Sequence, residues 1–557
     1  MRKICILLLI IGMYTSGYSQ RAIMFQVDMK NAIKDSIFNP SLGDSLIVRG
    51  DFNEWKRNSV VFGDIDGDSI YSGLYAIEGD SVSSIEYKYI IKRNNNQLLW
   101  EKKPNPEKPP YYNRCLSLSD SIQRAELAFF NYDRYYLGLV GKDVVFSVAE
   151  LQHDFNQMRK ILEENHCCLY EYTDRIDMDR LFDNQFQLID KPMAPNEFYR
   201  ILTPITAKIG CMHTAVWMPG SYWDLNPHQL FPLKIKIIDD NIIVAGSYND
   251  SLQIPVGSII SKINGRPTEE ILSEMRENIS ADALNPYFVD SQIEKRFPLV
   301  YSRRFGFPDS YTISYSVPYK NNSLTNDLVA TEIETVRNSV FSNWRHPKLI
   351  FELLNENVAY MKVRTFIYYD RVDYFKSFMD SCFQIIKDKR TENLILDLRG
   401  NDGGDPFCSV ILFSYLEHEP VPYFLEKYGK YSDLADPIPL AKNNFNGNLY
   451  TLLDGYCGST NGHFSALLKY HKIGTFVGTP SGSTYKCNAG RDTQRRLDHT
   501  DIILNFGRNT FSAAVEGMDK TSPIMPDYPV KITYKDFWDG NDIFMETALK
   551  LINNEAK

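Results

Sequence analysis

The chain has 557 residues, of which 43% are hydrophobic and 24% charged, with a formal net charge of -9. These values suit a globular protein of roughly three or four domains, and the acidic balance argues against nucleic acid as a partner. Beyond one short run at the start, no stretch approaches the roughly 18–20 apolar residues a spanning helix needs.

That run is the first element. Arg2 and Lys3 precede an apolar stretch from Ile4 to Met13, and small residues follow at Gly17 and Ser19. Residues 1–19 read as a secretory signal cleaved before Gln20, too short to persist as a spanning helix, so the protein is expected to be exported, to the periplasm or the cell exterior. Cys5 falls inside the leader without a lipidation pattern. Cys115, Cys167, Cys168, Cys211, Cys382, Cys408, Cys457 and Cys487 remain, scattered rather than arranged as a disulfide framework. Cys457 and Cys487 flank one short apolar helix and are a candidate pair. No spacing resembles a zinc site, and neither a metal nor a cofactor is expected.

Residues 20–119 alternate short strands with turns, as in Ile23–Met29, Leu46–Arg49 and Glu86–Ile91, which predicts a β-sandwich. The Arg49-Gly50-Asp51-Phe52-Asn53-Glu54-Trp55 stretch, with Trp100 and Asn113-Arg114, resembles starch-binding-type modules. That resemblance implies Trp55 and Trp100 as stacking platforms for glycan, against the plainer reading of Trp55 as core and the module as a spacer. Asp64-Ile65-Asp66-Gly67-Asp68 has the flavour of a calcium loop, but no Glu closes it, so an acidic turn is expected. Pro104–Pro110 reads as a surface loop.

From Val148, the spacing of Leu151, Phe155, Met158, Ile161 and Leu162 predicts a helix. Another, carrying Phe198, Leu202, Ile205 and Ile209, delivers His213. Residues 146–226 form a helical segment, and short strands follow over 229–318. Over 345–556, strands such as Val358–Val363 alternate with helices, giving an α/β layer.

Two glycine-rich turns stand out in that last region. Asn393-Leu394-Ile395-Leu396-Asp397 runs into Leu398-Arg399-Gly400-Asn401-Asp402-Gly403-Gly404. Leu449–Leu453 runs into Asp454-Gly455-Tyr456-Cys457-Gly458-Ser459-Thr460, followed by an apolar helix and Val477-Gly478. Ser459 stands where turn becomes helix. It is either the helix N-cap or a nucleophile beside backbone N–H groups suited to an oxyanion.

Together with Gly210-Cys211-Met212-His213-Thr214, these stretches resemble the tail-specific (C-terminal processing) and tricorn-core serine peptidases, over roughly residues 146 to 556. The resemblance implies a multidomain α+β protein with a PDZ-like domain at 229–318, marked by Ile260-Ser261-Lys262-Ile263-Asn264-Gly265, and a crotonase-like catalytic core. It implies Ser459 as nucleophile and His213 as base. The oxyanion hole would come from the N–H of Thr460 with that of Gly403 or Gly404. Cys211-Met212 replaces the more usual Asp-Gly before that histidine. Ala514-Val515-Glu516-Gly517 resembles the family's late Glu-Gly signature, implying Glu516 as the orienting acid, with Asp519 its nearest rival. Lys486 and His463 are alternative bases, though the register puts Thr484 where the processing branch has its lysine. The expected activity is hydrolysis of protein or peptide substrates. The alternatives are a Ser–Lys processing protease and an inactive glycan- or peptide-binding surface protein.

Overall fold

The computed structural model describes residues 21–55, 61–64, 67–77, 84–101, 114–117, 123–125, 128–130, 144–219, 229–249, 253–318, 323–340, 348–369, 371–485 and 487–555. The expected leader, the loop 104–110, Asn113 and Lys486 lie outside them. Among the described residues no helix is long and apolar enough to cross a membrane. The chain forms two compact units, residues 1–140 with 493–495 and residues 141–492 with 496–557.

In the first unit, Arg21–Asp28 pairs antiparallel with Ile70–Ile77 and parallel with Gln123–Arg124 and Ala128–Phe129. A second sheet joins Ser45–Gly50, Ser84–Lys92, Leu98–Trp100 and Arg114–Ser117. Alternate residues Ile23, Phe25 and Val27 of one sheet meet Leu46, Val48, Tyr87 and Tyr89 of the other in one core, the period-2 pattern of a sandwich. The two short parallel strands carry this unit past residue 119. Trp55 and Trp100 are half-buried, with ring centroids 6.3 Å apart. Asp64 accepts from the N–H groups of Gly67 and Ser69 at 2.9 and 3.0 Å, the hydrogen bonding of an acidic turn.

The second unit opens with helices Val148–Asn165, Arg175–Gln187 and Pro195–Lys208. Ser147 and Glu150 cap the first as a capping box, and Leu151, Phe155, Met158 and Leu162 form its buried stripe. An antiparallel sheet follows, ordered Leu233–Ile238, Asn241–Ser247, Ile259–Ile263, Ser310–Ser316, Ser323–Val329. Helices Thr268–Arg276 and Pro286–Phe305 pack on it through Ile271, Met275, Ile293 and Phe297.

Beyond this lies a six-stranded sheet. Leu349–Leu353 pairs antiparallel with Val358–Val363, and Asn393–Asp397, Asn448–Leu453, Thr475–Gly478 and Tyr528–Pro529 add in parallel. Leu394 and Leu396 face a core shared with Phe375, Leu412 and Phe464. Ile395 faces the other side, with Phe544 and Ala548 of the last helix. Both faces are covered, which is why these strands read as unbroken apolar runs. The two glycine-rich turns leave the carboxyl ends of neighbouring parallel strands, where open α/β sheets place their sites.

Candidate active site

The strand Asn448–Leu453 ends in a turn tied to the neighbouring loop. Asp454 accepts from the N–H groups of Gly400 and Tyr456, each at 3.1 Å, and the Asn401 carbonyl accepts from Gly458 N–H at 3.3 Å. Ser459 then takes φ 53°, ψ -127°, a left-handed conformation that costs a non-glycine residue about 1–3 kcal/mol. Two bonds hold it there: Ser459 N–H donates to Ser483 Oγ at 3.1 Å, and its carbonyl accepts from His463 N–H at 3.2 Å. Ser459 occupies the N-cap of Thr460–Tyr470, yet its hydroxyl makes no capping bond. Instead Oγ lies 3.2 Å from His213 Nε2. Ser459 is the N-cap by position, and its side chain does not cap the helix.

His213 stands on a turn braced along its length. Gly210, at φ +74°, ends the preceding helix in the left-handed region, and a Cβ there would meet Tyr172 at 2.9 Å. Gly210 carbonyl accepts from Ala283 N–H at 2.9 Å. Met212 N–H donates to Asp282 Oδ1 at 2.9 Å. His213 carbonyl accepts from Asn505 Nδ2 at 2.7 Å, and Thr214 Oγ1 lies 2.6 Å from His166 Nε2. Met212 covers Gly458, where a Cβ would fall 2.6 Å from its methyl carbon. Cys211-Met212 thus keeps the histidine in place by packing.

Sequence reasoning passed over Asp282. It is 1% exposed, and its second oxygen has no hydrogen-bond partner among the described residues. Burial raises its pKa to about 6, against the opposing pull of the Met212 N–H and of positive charge on His213. The same segment reaches the Ser459 side: Asn285 Nδ2 donates to Ser481 carbonyl at 2.8 Å, and Ser291 Oγ to Gly455 carbonyl at 3.2 Å. One stretch of the middle sheet's helical layer therefore braces both turns.

The loop after Asp397 lies against Ser459. A Cβ on Gly403 would sit 2.8 Å from both Ser459 Cβ and Thr460 N, and one on Gly404 would sit 2.2 Å from Phe366 carbonyl carbon. Gly403 N–H already donates to Asn401 Oδ1 at 2.8 Å. The N–H groups of Gly404 and Thr460 have no acceptor among the described residues.

Residues 357–503 match the family model described as Peptidase family S41. Over that stretch the chain is similar to the S41 peptidases. No curated protein matches it. Among the solved structures that share its fold are two of CPAF. Mature CPAF has 12% identity and a TM-score of 0.55, covering 74% of this chain and 99% of its own. A serine-to-alanine variant of CPAF has 11% identity and a TM-score of 0.58, covering 73% and 98%. The S41 core is that of a serine-type peptidase acting on protein or peptide.

The remaining residues sort by where the S41 core holds them. Glu516 is exposed and carries no hydrogen bond or ion pair among the described residues, to His213 or to any other. Asp519 is also exposed and takes bonds from Thr521 and Ser522 of its own turn. His463 is buried at 5% exposure, edge-on to Phe424, and burial pushes its pKa down to about 4. Thr484 is buried and bridges to Pro523. Cys457 is a thiol rather than half of a disulfide. It donates to Leu398 carbonyl at 3.2 Å, so the expected pairing with Cys487, whose side chain lies outside the described residues, gives way to a buried hydrogen bond.

Asp397, the acid of the Asp-Leu-Arg-Gly motif, is fully buried and clamped by five donors, one of them the Arg399 backbone N–H at 3.0 Å. Arg399 donates through Nε and Nη2 at 2.9 and 2.8 Å, Lys362 at 2.8 Å and Tyr360 OH at 2.9 Å. Burial alone would raise its pKa; the bonds and charges of Arg399 and Lys362 outweigh that and bring it to about 2. Arg399 also forks onto Asp542 beside the last helix, at 2.7 and 2.9 Å, so the motif's acid–base pair anchors the loop rather than the chemistry.

Proposed function

We propose that the S41 core hydrolyses peptide bonds with Ser459 as nucleophile and His213 as general base. The observation that carries this is the 3.2 Å contact between Oγ and Nε2, made by a serine whose hydroxyl has given up helix capping. His213 takes the hydroxyl proton as Oγ attacks the carbonyl carbon, then returns it to the leaving amine. The N–H groups of Thr460 and Gly404 receive the oxyanion, helped by the positive end of the helix that Thr460 begins. Asp282, rather than Glu516, supplies the negative charge beside the imidazolium formed in that step. This assignment sides with the tricorn-like branch over the Ser–Lys branch.

A fluorophosphonate probe tests the reading. Wild type should be labelled, and Ser459→Ala and His213→Gln should not. Absence of labelling in the folded wild type overturns the assignment in favour of an inactive binding protein. A dead Lys486→Met beside an active His213→Gln overturns it in favour of a Ser–Lys enzyme.

Three further readings belong with this one. The antiparallel sheet from Leu233 to Val329 serves as a PDZ-like module that adds substrate peptide as a strand. The leader-like start directs export, checked by fractionation and by a mature N-terminus at Gln20. Trp55 and Trp100, half-buried and adjacent, stack on glycan; the full-length chain should bind starch or glycogen, and Trp55→Ala or Trp100→Ala should weaken it.

A further inference from the structure

Next to the turn that carries His213 lie thiols that peptide hydrolysis does not use. Cys167 and Cys168 follow the helix Val148–Asn165, and Cys211 stands two residues before His213. Cys168 Sγ, Cys211 Sγ and a ring nitrogen of His166 lie within 4.8 Å of one another. Cys167 Sγ is 3.5 Å from Cys168 Sγ. Cys211 is buried and Cys168 half-buried, and neither is disulfide-bonded.

Two thiols and an imidazole suggest a zinc-class metal, but the histidine is already committed. Its Nδ1 accepts from Cys168 N–H at 3.1 Å, so the neutral ring carries its hydrogen on Nε2. That nitrogen donates to the Thr214 hydroxyl at 2.6 Å, in the interior. Ligation through either nitrogen breaks a hydrogen bond of a buried group, and without it only two of the four ligands of a closed tetrahedral site remain. The thiol pair is the part of the cluster available for chemistry.

We propose that Cys168 and Cys211 form a dithiol–disulfide site, closed by exchange with a small external disulfide of the oxidised-glutathione class. The half-buried Cys168 loses its proton and attacks one sulfur of the reagent, whose S–S bond breaks and releases one thiolate. Cys211 then loses its proton, attacks the Cys168 sulfur of the mixed disulfide and releases the second. The protein gives up two protons and two electrons, and the reagent becomes two thiols. The competing Cys167–Cys168 bridge would close a small ring across one peptide unit and distort its planarity. The crosslink ties the end of the first helix to the base-bearing turn, adding a covalent anchor to the bonds from Asp282, Ala283 and Asn505. It stands independently of which residues cleave peptide.

The test uses the full-length protein, reduced and then equilibrated in glutathione buffers of rising oxidised fraction, quenched in acid, alkylated under denaturing conditions and mapped by mass spectrometry. The oxidised protein should be about 2 Da lighter before alkylation and should yield a Cys168–Cys211 crosslinked peptide, with a thermal midpoint several degrees above that of the reduced form. Cys168→Ser and Cys211→Ser should lose the crosslink and the thermal shift, while Cys167→Ser keeps both. The proposal falls if both thiols stay alkylatable in fully oxidising buffer, or if the mapped link runs through Cys167. It also falls if the purified protein holds one equivalent of zinc that shields Cys168 and Cys211 from alkylation. Should a serine variant fail to fold, the wild-type peptide map decides alone.

Discussion

Asp397 and Asp282 are equally buried carboxylates in one unit, 0% and 1% exposed, and their neighbours set them apart. Asp397 receives a forked arginine, a lysine and a tyrosine, and its pKa drops to about 2. Asp282 receives one backbone N–H, and its pKa rises to about 6. Burial penalises charge in both; the number of donors decides whether that penalty is overcome. A carboxylate with every lone pair occupied is a fastener. One left half-satisfied beside a histidine responds to the proton on that histidine.

The comparison can be broken at several points. The largest effect should fall on activity alone: Ser459→Ala, and nearly as much His213→Gln, should lower kcat by on the order of a million-fold, roughly 8 kcal/mol, with the unfolding midpoint unchanged. Next, Asp397→Asn should lower stability to denaturant by about 3–5 kcal/mol, because Lys362 is left buried without its counter-charge and Arg399 keeps only Asp542.

Asp282→Asn should do the reverse. An amide oxygen can still accept from Met212 N–H, so the turn is kept while the charge is lost. Turnover should fall on the order of a hundredfold, while stability at pH 8 rises by at most about 3 kcal/mol, at roughly 1.36 kcal/mol per pKa unit. Equal loss of stability in both aspartate variants would erase the distinction between them.

Proton linkage sharpens it. The folded pKa of Asp397, about 2, lies below the ordinary value near 3.9, so its stabilisation is full above about pH 4 and is lost as pH falls through about 2. That of Asp282, about 6, lies above, so the relative stability it confers is full below about pH 4 and is lost as pH rises through about 6. Denaturant unfolding of wild type and Asp282→Asn should therefore coincide near pH 4 and separate by pH 7. The smallest effect belongs to Glu516→Gln, exposed and without partners, which should leave turnover and stability near wild type. A loss matching that of Asp282→Asn would restore Glu516 as the orienting acid.

What the sequence revealed follows from how local each feature is. The nucleophile turn and the Asp-Leu-Arg-Gly loop are contiguous, and their glycines meet a local demand: at Gly403 and Gly404 a Cβ would strike Ser459 and Phe366. His213 was legible from the residues around it. Asp282 was not, because Ser280-Ala281-Asp282-Ala283-Leu284-Asn285 reads as an ordinary helix entry, and its meaning comes from a tertiary bond to Met212. The one available signal was an acid set among the apolar residues Ala281, Ala283 and Leu284. The sandwich was legible from its alternation, but not its last two strands, two residues each, which carry no periodicity.

The contact between His213 and Ser459 joins residues 246 positions apart. In vectorial synthesis the His213 turn emerges first, then the short helical turn Asp282–Leu284, and only afterwards the serine. A chain interrupted before residue 459 holds a histidine with nothing to activate. The strained serine turn, formed without the earlier half, holds an alcohol no more reactive than any other. Closing so long a loop comes late in folding, so hydrolytic power should appear only once the surrounding chain is too compact to be its own substrate. On the proposed Ser459–His213 assignment, the order of the residues along the polypeptide delays hydrolysis until both halves of the site have folded.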